Sequence, residues 1–341
     1  MAERILIVAP SWVGDAILSE SLLAVLREPL GESTLDVLAP PWCAPVYARV
    51  RGLRRIIEAP FAHGELALGR RRALARDLRA AGYTRSFILP NSFKSALIPW
   101  LARIPRRVGY VAEARAPLLT DARRLNRNAL PRMVDRFVAL AVPAGELIPA
   151  PPAPVLVPDA VNASTAMRAL GLSTRRPIAI LCPGAEYGPA KRWPSEHFIG
   201  LARRLLDSGY AVWLLGSPSD QSAAVPIAAA IAGVRDLTGR TDLGTAIDLL
   251  SLANVVVSND SGLMHAAAAV GRPLVALFGS SSPEYTPPLS PLARVAKIDI
   301  ECSPCFQREC PLGHFKCMRD LDPDAVYDLA RSGTVAIIDP L

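Results

Sequence analysis

The 341-residue sequence is short of several things, and each shortage removes a class of protein. No apolar run approaches the roughly 18–20 residues that a membrane-spanning helix needs. Neither GxGxxG nor a Gly-Lys-Ser/Thr phosphate loop occurs, which argues against a Rossmann dinucleotide oxidoreductase and a Walker-type NTPase. No 20–50-residue period repeats, so solenoids are excluded, and the 22 Gly follow no three-residue period, so collagen is too. Charged residues make up only 20% against 51% hydrophobic, the reverse of a disordered chain. The apolar run 5–9 stops at Pro10 and is too short for a signal-peptide core. A cytoplasmic protein is expected, with its six cysteines as thiols or metal ligands.

What is present is a lopsided charge distribution and a regular alternation of elements. Through Val157 there are 22 Lys+Arg against 13 Asp+Glu, and from Pro158 onward 16 against 18. A front half at +9 points to an anionic partner, with a solvated Arg-rich surface as the plain alternative, since only four of the 38 basic residues are Lys. Apolar runs at 4–9, 34–39, 54–58, 85–89 and 107–111 read as strands, separated by helical patterns that include 16–27, 65–81 and 92–102. In the back half the strands fall at 177–181, 211–215, 255–258 and 273–278, with helices at 195–207, 220–232, 242–252 and 261–270. This alternation is the pattern of parallel sheets covered on both faces. Residues 143–158 hold six prolines in sixteen positions and read as a linker. The expectation is α/β: two doubly wound Rossmann-like domains facing a cleft, residues 1–150 and 151–341, with the last helix free to pack back on the first domain. Ligands of such sheets bind beyond the carboxyl ends of the strands.

Three strand ends carry chemistry. The first is PSWVGD, residues 10–15, where Gly14 lets the chain turn and Asp15 stands near a helix start. Asp15 reads either as an N-cap or as a base for a substrate hydroxyl. The second is CPGAEYGPAKRWP, residues 182–194: Gly184 and Gly188 loosen the loop, Lys191 and Arg192 place two cations suited to a pyrophosphate, and Pro194 opens a helix. In the third, residues 255–279, a strand runs into Asn259, Asp260, Ser261 and Gly262 at the start of an alanine-rich helix that holds Met264 and His265. A helix start offers an anion site, although Asp260 or Ser261 as a cap and His265 as a core residue would explain parts of the pattern.

As a set, these motifs resemble the ADP-heptose:lipopolysaccharide heptosyltransferases nearly end to end, most closely the members that add the second inner-core heptose. The resemblance implies a GT-B fold, inversion at the sugar, no catalytic metal, the acceptor on the front domain and ADP-L-glycero-β-D-manno-heptose on the back one. It makes Asp15 the base and Lys191 the stabiliser of the departing diphosphate. Asp260 then faces the donor sugar, and Ser261, Gly262 and His265 hold the phosphates. Gly14, Gly184, Arg192, Met264 and Asp220 are expected nearby. Arg51, Arg54, Arg55, Arg106 and Arg107 would meet the acceptor's carboxylates and phosphates at the cytoplasmic face of the inner membrane. A monomer with no nucleic-acid partner is expected.

Cys302, Cys305, Cys310 and Cys317, spaced C-x2-C-x4-C-x6-C with His314 among them, remain open. Structural zinc or iron–sulfur, reduced packing thiols and a local disulfide are all readings, and the second pair lacks zinc-ribbon spacing. Such a stretch favours members that extend heptosyl-Kdo2-lipid A over those that act on Kdo2-lipid A. Cys43 and Cys182 read as small buried hydrophobes. A basic nucleic-acid-binding protein with a four-cysteine metal site is the rival of another class. Against it, the cysteines and the basic half lie apart, and few aromatics are available to interleave with bases.

Overall fold

The computed structural model describes residues 3–28, 31, 33–61 and 65–331. The chain divides into two compact units, Met1–Pro154 and Val155–Leu341. In the first, strands β1 (Arg4–Val8), β2 (Thr34–Ala39), β3 (Leu53–Glu58), β4 (Arg85–Ile88), β5 (Arg106–Tyr110) and β6 (Asp121–Arg123) form one sheet in the order β3-β2-β1-β4-β5-β6. Its helices are α1 (Val13–Leu18), α2 (Glu20–Arg27), α3 (Ala44–Tyr47), α4 (Leu68–Ala80), α5 (Phe93–Leu101) and α6 (Met133–Ala141). The second unit opens with α7 (Ala160–Leu170). It then alternates β7 (Ile178–Cys182), α8 (Ser195–Asp207), β8 (Ala211–Leu214), α9 (Gln221–Ala230), β9 (Val234–Asp236), α10 (Leu243–Leu250), β10 (Val255–Asn259), α11 (Gly262–Ala269), β11 (Leu274–Leu277) and β12 (Ala293–Ala296). Helices α12 (Lys316–Arg319) and α13 (Pro323–Arg331) follow, and α13 packs on α8 and on the sheet of its own unit.

Every strand pairing in both sheets is parallel. The second sheet, β12-β11-β10-β7-β8-β9, repeats the order of the first read from its other edge. Each sheet therefore changes winding direction once, between β1 and β4 and between β7 and β10. The central strands are buried end to end, as β7 and β10 show, because helices cover both faces. Helix α8 turns Phe198, Leu201, Ala202 and Leu205 into the second core. Truncating a buried ring such as Phe198 costs about 3–5 kcal/mol.

Several elements differ from the sequence expectation for physical reasons. The helix expected at 16–27 breaks at Ser19, whose hydroxyl donates back to Ala16 O at 2.7 Å and pairs with Tyr47 Oη at 2.9 Å. Pro194 is the N-cap of α8, one position before its first turn. Helix α6 is a nine-residue segment that a proline-bounded reading passes over, and α7 begins where the proline-rich stretch ends, on the Asp159 cap. That stretch opens in a turn, Glu146 N donating to Pro143 O at 3.2 Å, and is anchored within each unit, by Ser21 Oγ donating to Pro152 O at 2.6 Å and Leu156 N to Ala269 O at 3.0 Å.

Candidate functional site

In the second unit the winding reversal puts the loop after β7 beside the loop after β10. Asn259, at the end of β10, fastens the two: its Nδ2 donates to Pro183 O at 2.7 Å, and its Oδ1 accepts from Trp193 N at 3.1 Å. The loops present Lys191 and Asp260 to each other, with Nζ 2.5 Å from Oδ2. Ser281, in the loop after β11, donates to the same Oδ2 at 2.5 Å. Asp260 does not cap α11. Ser261 holds the N-cap position with no side-chain cap bond, and its hydroxyl pairs with Ser258 Oγ at 3.3 Å. The first turn of α11 therefore keeps its partial positive charge beside the ion pair. His265 is buried behind it, and burial pushes its pKa down to about 4. Asp260 opposes that shift and Lys191 adds to it, and the imidazole is neutral at pH 7.

Three buried polar atoms around these loops have no hydrogen-bond partner: Arg192 Nε, Ser280 Oγ and Asp220 Oδ1. Orphaned buried groups of this kind are costly unless a ligand or water satisfies them. Gly184 and Gly216 are needed where they stand, because a Cβ on either would collide with the Asp220 side chain. Met264 is fully enclosed, so packing is its role here. Ser280 and Ser281 escape the sequence reading, and Asn259 is named there only as part of a helix start, not as the fastener of two loops. Their signal is the run of small polar residues directly after two buried strands.

In the first unit Asp15 is the third residue of α1 and half-buried. Cys43 lies close enough to sense it: the thiol is pushed up to about 12, first by burial and then by the Asp15 charge. Trp42 Nε1 donates to Ser11 O at 2.8 Å and holds the PSWVGD loop from the side. Three aromatics remain open to solvent at this carboxyl edge of the sheet: Trp12 at 44%, Trp42 at 42% and Phe93 at 39% exposure. Behind them Arg115 is fully buried and clamps the loops after β4 and β5. It donates to Tyr110 O at 2.8 Å, Ser95 Oγ at 3.0 Å, Asn91 Oδ1 at 3.1 Å and also to Pro90 O.

The arginines expected to meet the acceptor lie away from Asp15. Arg51 precedes β3, Arg54 and Arg55 lie near its start, and Arg106 and Arg107 begin β5. All five therefore stand at the amino end of a parallel sheet, opposite the edge that carries Asp15. Arg54 is committed to the buried Asp36, through Nε at 3.0 Å and through Nη2, and Tyr83 donates to the same carboxylate at 2.5 Å. Arg107 is spent on Leu118 O at 2.7 Å and on Ile104 O. The strands read at 54–58 and 107–111 begin on Arg54 and Arg107, so the sequence itself puts these arginines at amino ends, a constraint that the charge cluster taken alone does not carry.

Cys302, Cys305, Cys310, Cys317 and His314 line one small cavity. All six cysteines of the chain are free thiols. Yet among the described residues no three His, Cys, Asp or Glu side chains are arranged to hold a metal ion, and the thiols do not fit a zinc or iron–sulfur centre as they stand. Cys317 is pushed up to about 11, mainly by burial and then by its three neighbouring thiols. Among the described residues no helix is long and apolar enough to cross a membrane.

Comparison with known proteins adds four findings. The family model described as glycosyltransferase family 9 (heptosyltransferase) matches residues 71–316. The chain is 43% identical over 337 residues to lipopolysaccharide heptosyltransferase 2 of Salmonella typhimurium, covering 95% of this chain and 97% of that one. Its fold superposes on the solved structure of Escherichia coli ADP-heptose lps heptosyltransferase II with a TM-score of 0.87, 40% identity and coverage of 97% and 98%. Lipopolysaccharide heptosyltransferase 1 of Pseudomonas aeruginosa is similar over only 145 residues, at 30% identity and 40% of this chain.

Proposed function

The chain belongs to glycosyltransferase family 9, the heptosyltransferases, and we propose that it transfers L-glycero-D-manno-heptose from ADP-heptose to the first heptose of heptosyl-Kdo2-lipid A. The observation that carries the reading is the Lys191–Asp260 pair at the winding reversal of the second sheet, beside an uncapped helix start and three unsatisfied polar atoms. That is a seat for a nucleotide diphosphate and its sugar. The choice of acceptor rests on near-full-length similarity to heptosyltransferase 2, against similarity over 40% of the chain to a heptosyltransferase 1.

In the reaction the acceptor hydroxyl attacks the anomeric carbon. Its proton passes to the Asp15 carboxylate, the bond from that carbon to the β-phosphate oxygen breaks, and ADP leaves with the electron pair. The sugar inverts because attack and departure lie on opposite faces. Lys191 and the first turn of α11 stabilise the charge that grows on the leaving diphosphate. Asp260 holds Lys191 in place and faces the donor sugar. Gly184, Arg192, Ser261, Gly262 and the neutral His265 shape the rest of the donor seat. These groups supply the charge stabilisation without a metal, so transfer should persist in the presence of a chelator.

Acceptor contacts belong to the open edge of the first sheet. Gly14 lets the chain bring Asp15 to a substrate, Trp12 and Trp42 offer sugar-stacking faces, and Arg72 and Lys94 at the starts of α4 and α5 meet acidic groups. The acceptor is a membrane lipid, so the enzyme works at the cytoplasmic face of the inner membrane.

The test offers purified protein ADP-heptose with Kdo2-lipid A and heptosyl-Kdo2-lipid A in separate reactions, read by mass spectrometry. Heptose added only to the second acceptor is the expected result. Addition to the first would assign the chain to the earlier step, and transfer to neither would refute the substrate assignment.

A further inference from the structure

We infer that Arg308, on the cysteine-rich segment, is a further cation, beside Lys191 and Arg192, for the donor diphosphate; this rests on the donor reading given above. Lys191 alone is a weak phosphate receptor here, because the Asp260 carboxylate 2.5 Å away cancels most of its charge. The first turn of α11 contributes about half a charge. A nucleoside diphosphate carries at least two negative charges and gains another as it leaves. Arg192, half-buried and bonded to Ala185 O at 3.4 Å, is one cation of the seat that no carboxylate of the described residues holds, and the growing charge calls for a further one.

Arg308 meets that requirement. Its side chain is exposed and has no acidic partner among the described residues. Its guanidinium lies 5.2 Å from the centre of the Tyr187 ring, and Lys191 Nζ lies 5.0 Å from the same centre. The two cations are therefore no farther apart than the sum of those distances. A planar guanidinium fork suits two phosphate oxygens at once, which an ammonium group cannot match.

The placement of Arg308 is built, not incidental. Ala190 N donates to Arg308 O at 3.0 Å, joining the Lys191 loop to this segment. Gly188 lets the two backbones touch, since any Cβ there would collide with the Arg308 carbonyl. Tyr187 Oη donates to Phe306 O at 2.8 Å, and Phe306 N donates to Ser280 O at 2.6 Å, next to the serine that holds Asp260. The segment that contains the four thiols is thus stitched to the loop after β7 and to the loop after β11. Phe306 and Arg308 thereby border the Lys191 loop, a role that the cysteine spacing alone does not reveal.

The experiment measures binding of ADP, AMP and adenosine by titration calorimetry to full-length wild type, Arg308→Ala and Arg308→Lys, with melting temperatures as a control for folding. Losing a charge-assisted phosphate contact should weaken ADP by about ten- to a hundredfold. Adenosine affinity should change less than twofold, AMP should fall in between, and Arg308→Lys should recover part of the ADP loss. ADP affinity unchanged in Arg308→Ala, or adenosine weakened as much as ADP, would overturn the assignment. Wild-type protein that fails to bind ADP would overturn the donor reading, and this inference with it.

Discussion

At the carboxyl edge of the second sheet charge is already matched: Lys191 meets Asp260, Ser281 braces the carboxylate, and Asn259 locks the two loops together. At the same edge of the first sheet the loops are equally well braced, by the buried Arg115, but they turn exposed tryptophans and a half-buried aspartate outward. Both sheets have the same strand order, so topology does not account for the difference. The second edge suits a small polar ligand whose every oxygen must find a partner. The first suits a large amphipathic ligand gripped at a few points.

The sharpest way to break this contrast is to disable one edge and read the other. Asp15→Asn keeps the shape and removes the base, so turnover should fall about 10²–10⁴-fold while ADP affinity is unchanged. Lys191→Ala should lower both turnover and ADP affinity, since it acts at the donor seat and strands a buried carboxylate. A rate in Asp15→Asn equal to wild type would remove the base assignment.

A smaller effect, on stability, tests the bracing of the first edge. Arg115→Met leaves several buried carbonyl oxygens without donors and should cost roughly 3 kcal/mol or more. Denaturant melts should show the loss, while ADP binding to the second unit persists. ADP binding lost in parallel would mean that the two edges are not independent.

The second edge should also reveal itself through pH. His265 has a folded pKa of about 4, below its ordinary value, so between roughly pH 6.5 and 4 the unfolded chain binds the extra proton. Stability is therefore full above about pH 6.5 and falls as the pH drops towards 4, by on the order of 3 kcal/mol from this group. His265→Gln should flatten urea midpoints across that window, and an unchanged slope would contradict the assignment. Smallest of all, Trp42→Ala should raise the acceptor KM several-fold and leave the ADP-heptose KM alone, a loss of about 1 kcal/mol of stacking. A shift in the donor KM instead would place Trp42 at the wrong edge.

Much of this is legible in the sequence alone. The strands at 34–39 and the helix at 195–207 fall where periodicity places them, because apolar patterning and burial coincide there. Ser19 breaks a helix through one hydroxyl contact that no local pattern announces. The reading of Lys191 and Asp260 as donor-site residues comes from strand-end motifs, but their pairing depends on β7 and β10 being neighbours, a long-range fact. Arg54 shows the converse failure. Its charge is visible in the sequence, while its partner Asp36 is hidden on the adjacent strand and hydrophobic in context.

The division at Pro154 has a consequence for how the protein is made. All six strands of the first sheet lie within the first 154 residues and pair only with one another. A ribosome adding about 5–20 residues per second therefore delivers a finished sheet roughly 7–28 s before the last strand of the second emerges. The first half can close its core and hide its strand edges while the rest is still being translated. The slow step in synthesis then falls on the second half alone, whose central β7 must wait for β10, some seventy residues later, before its other neighbour exists.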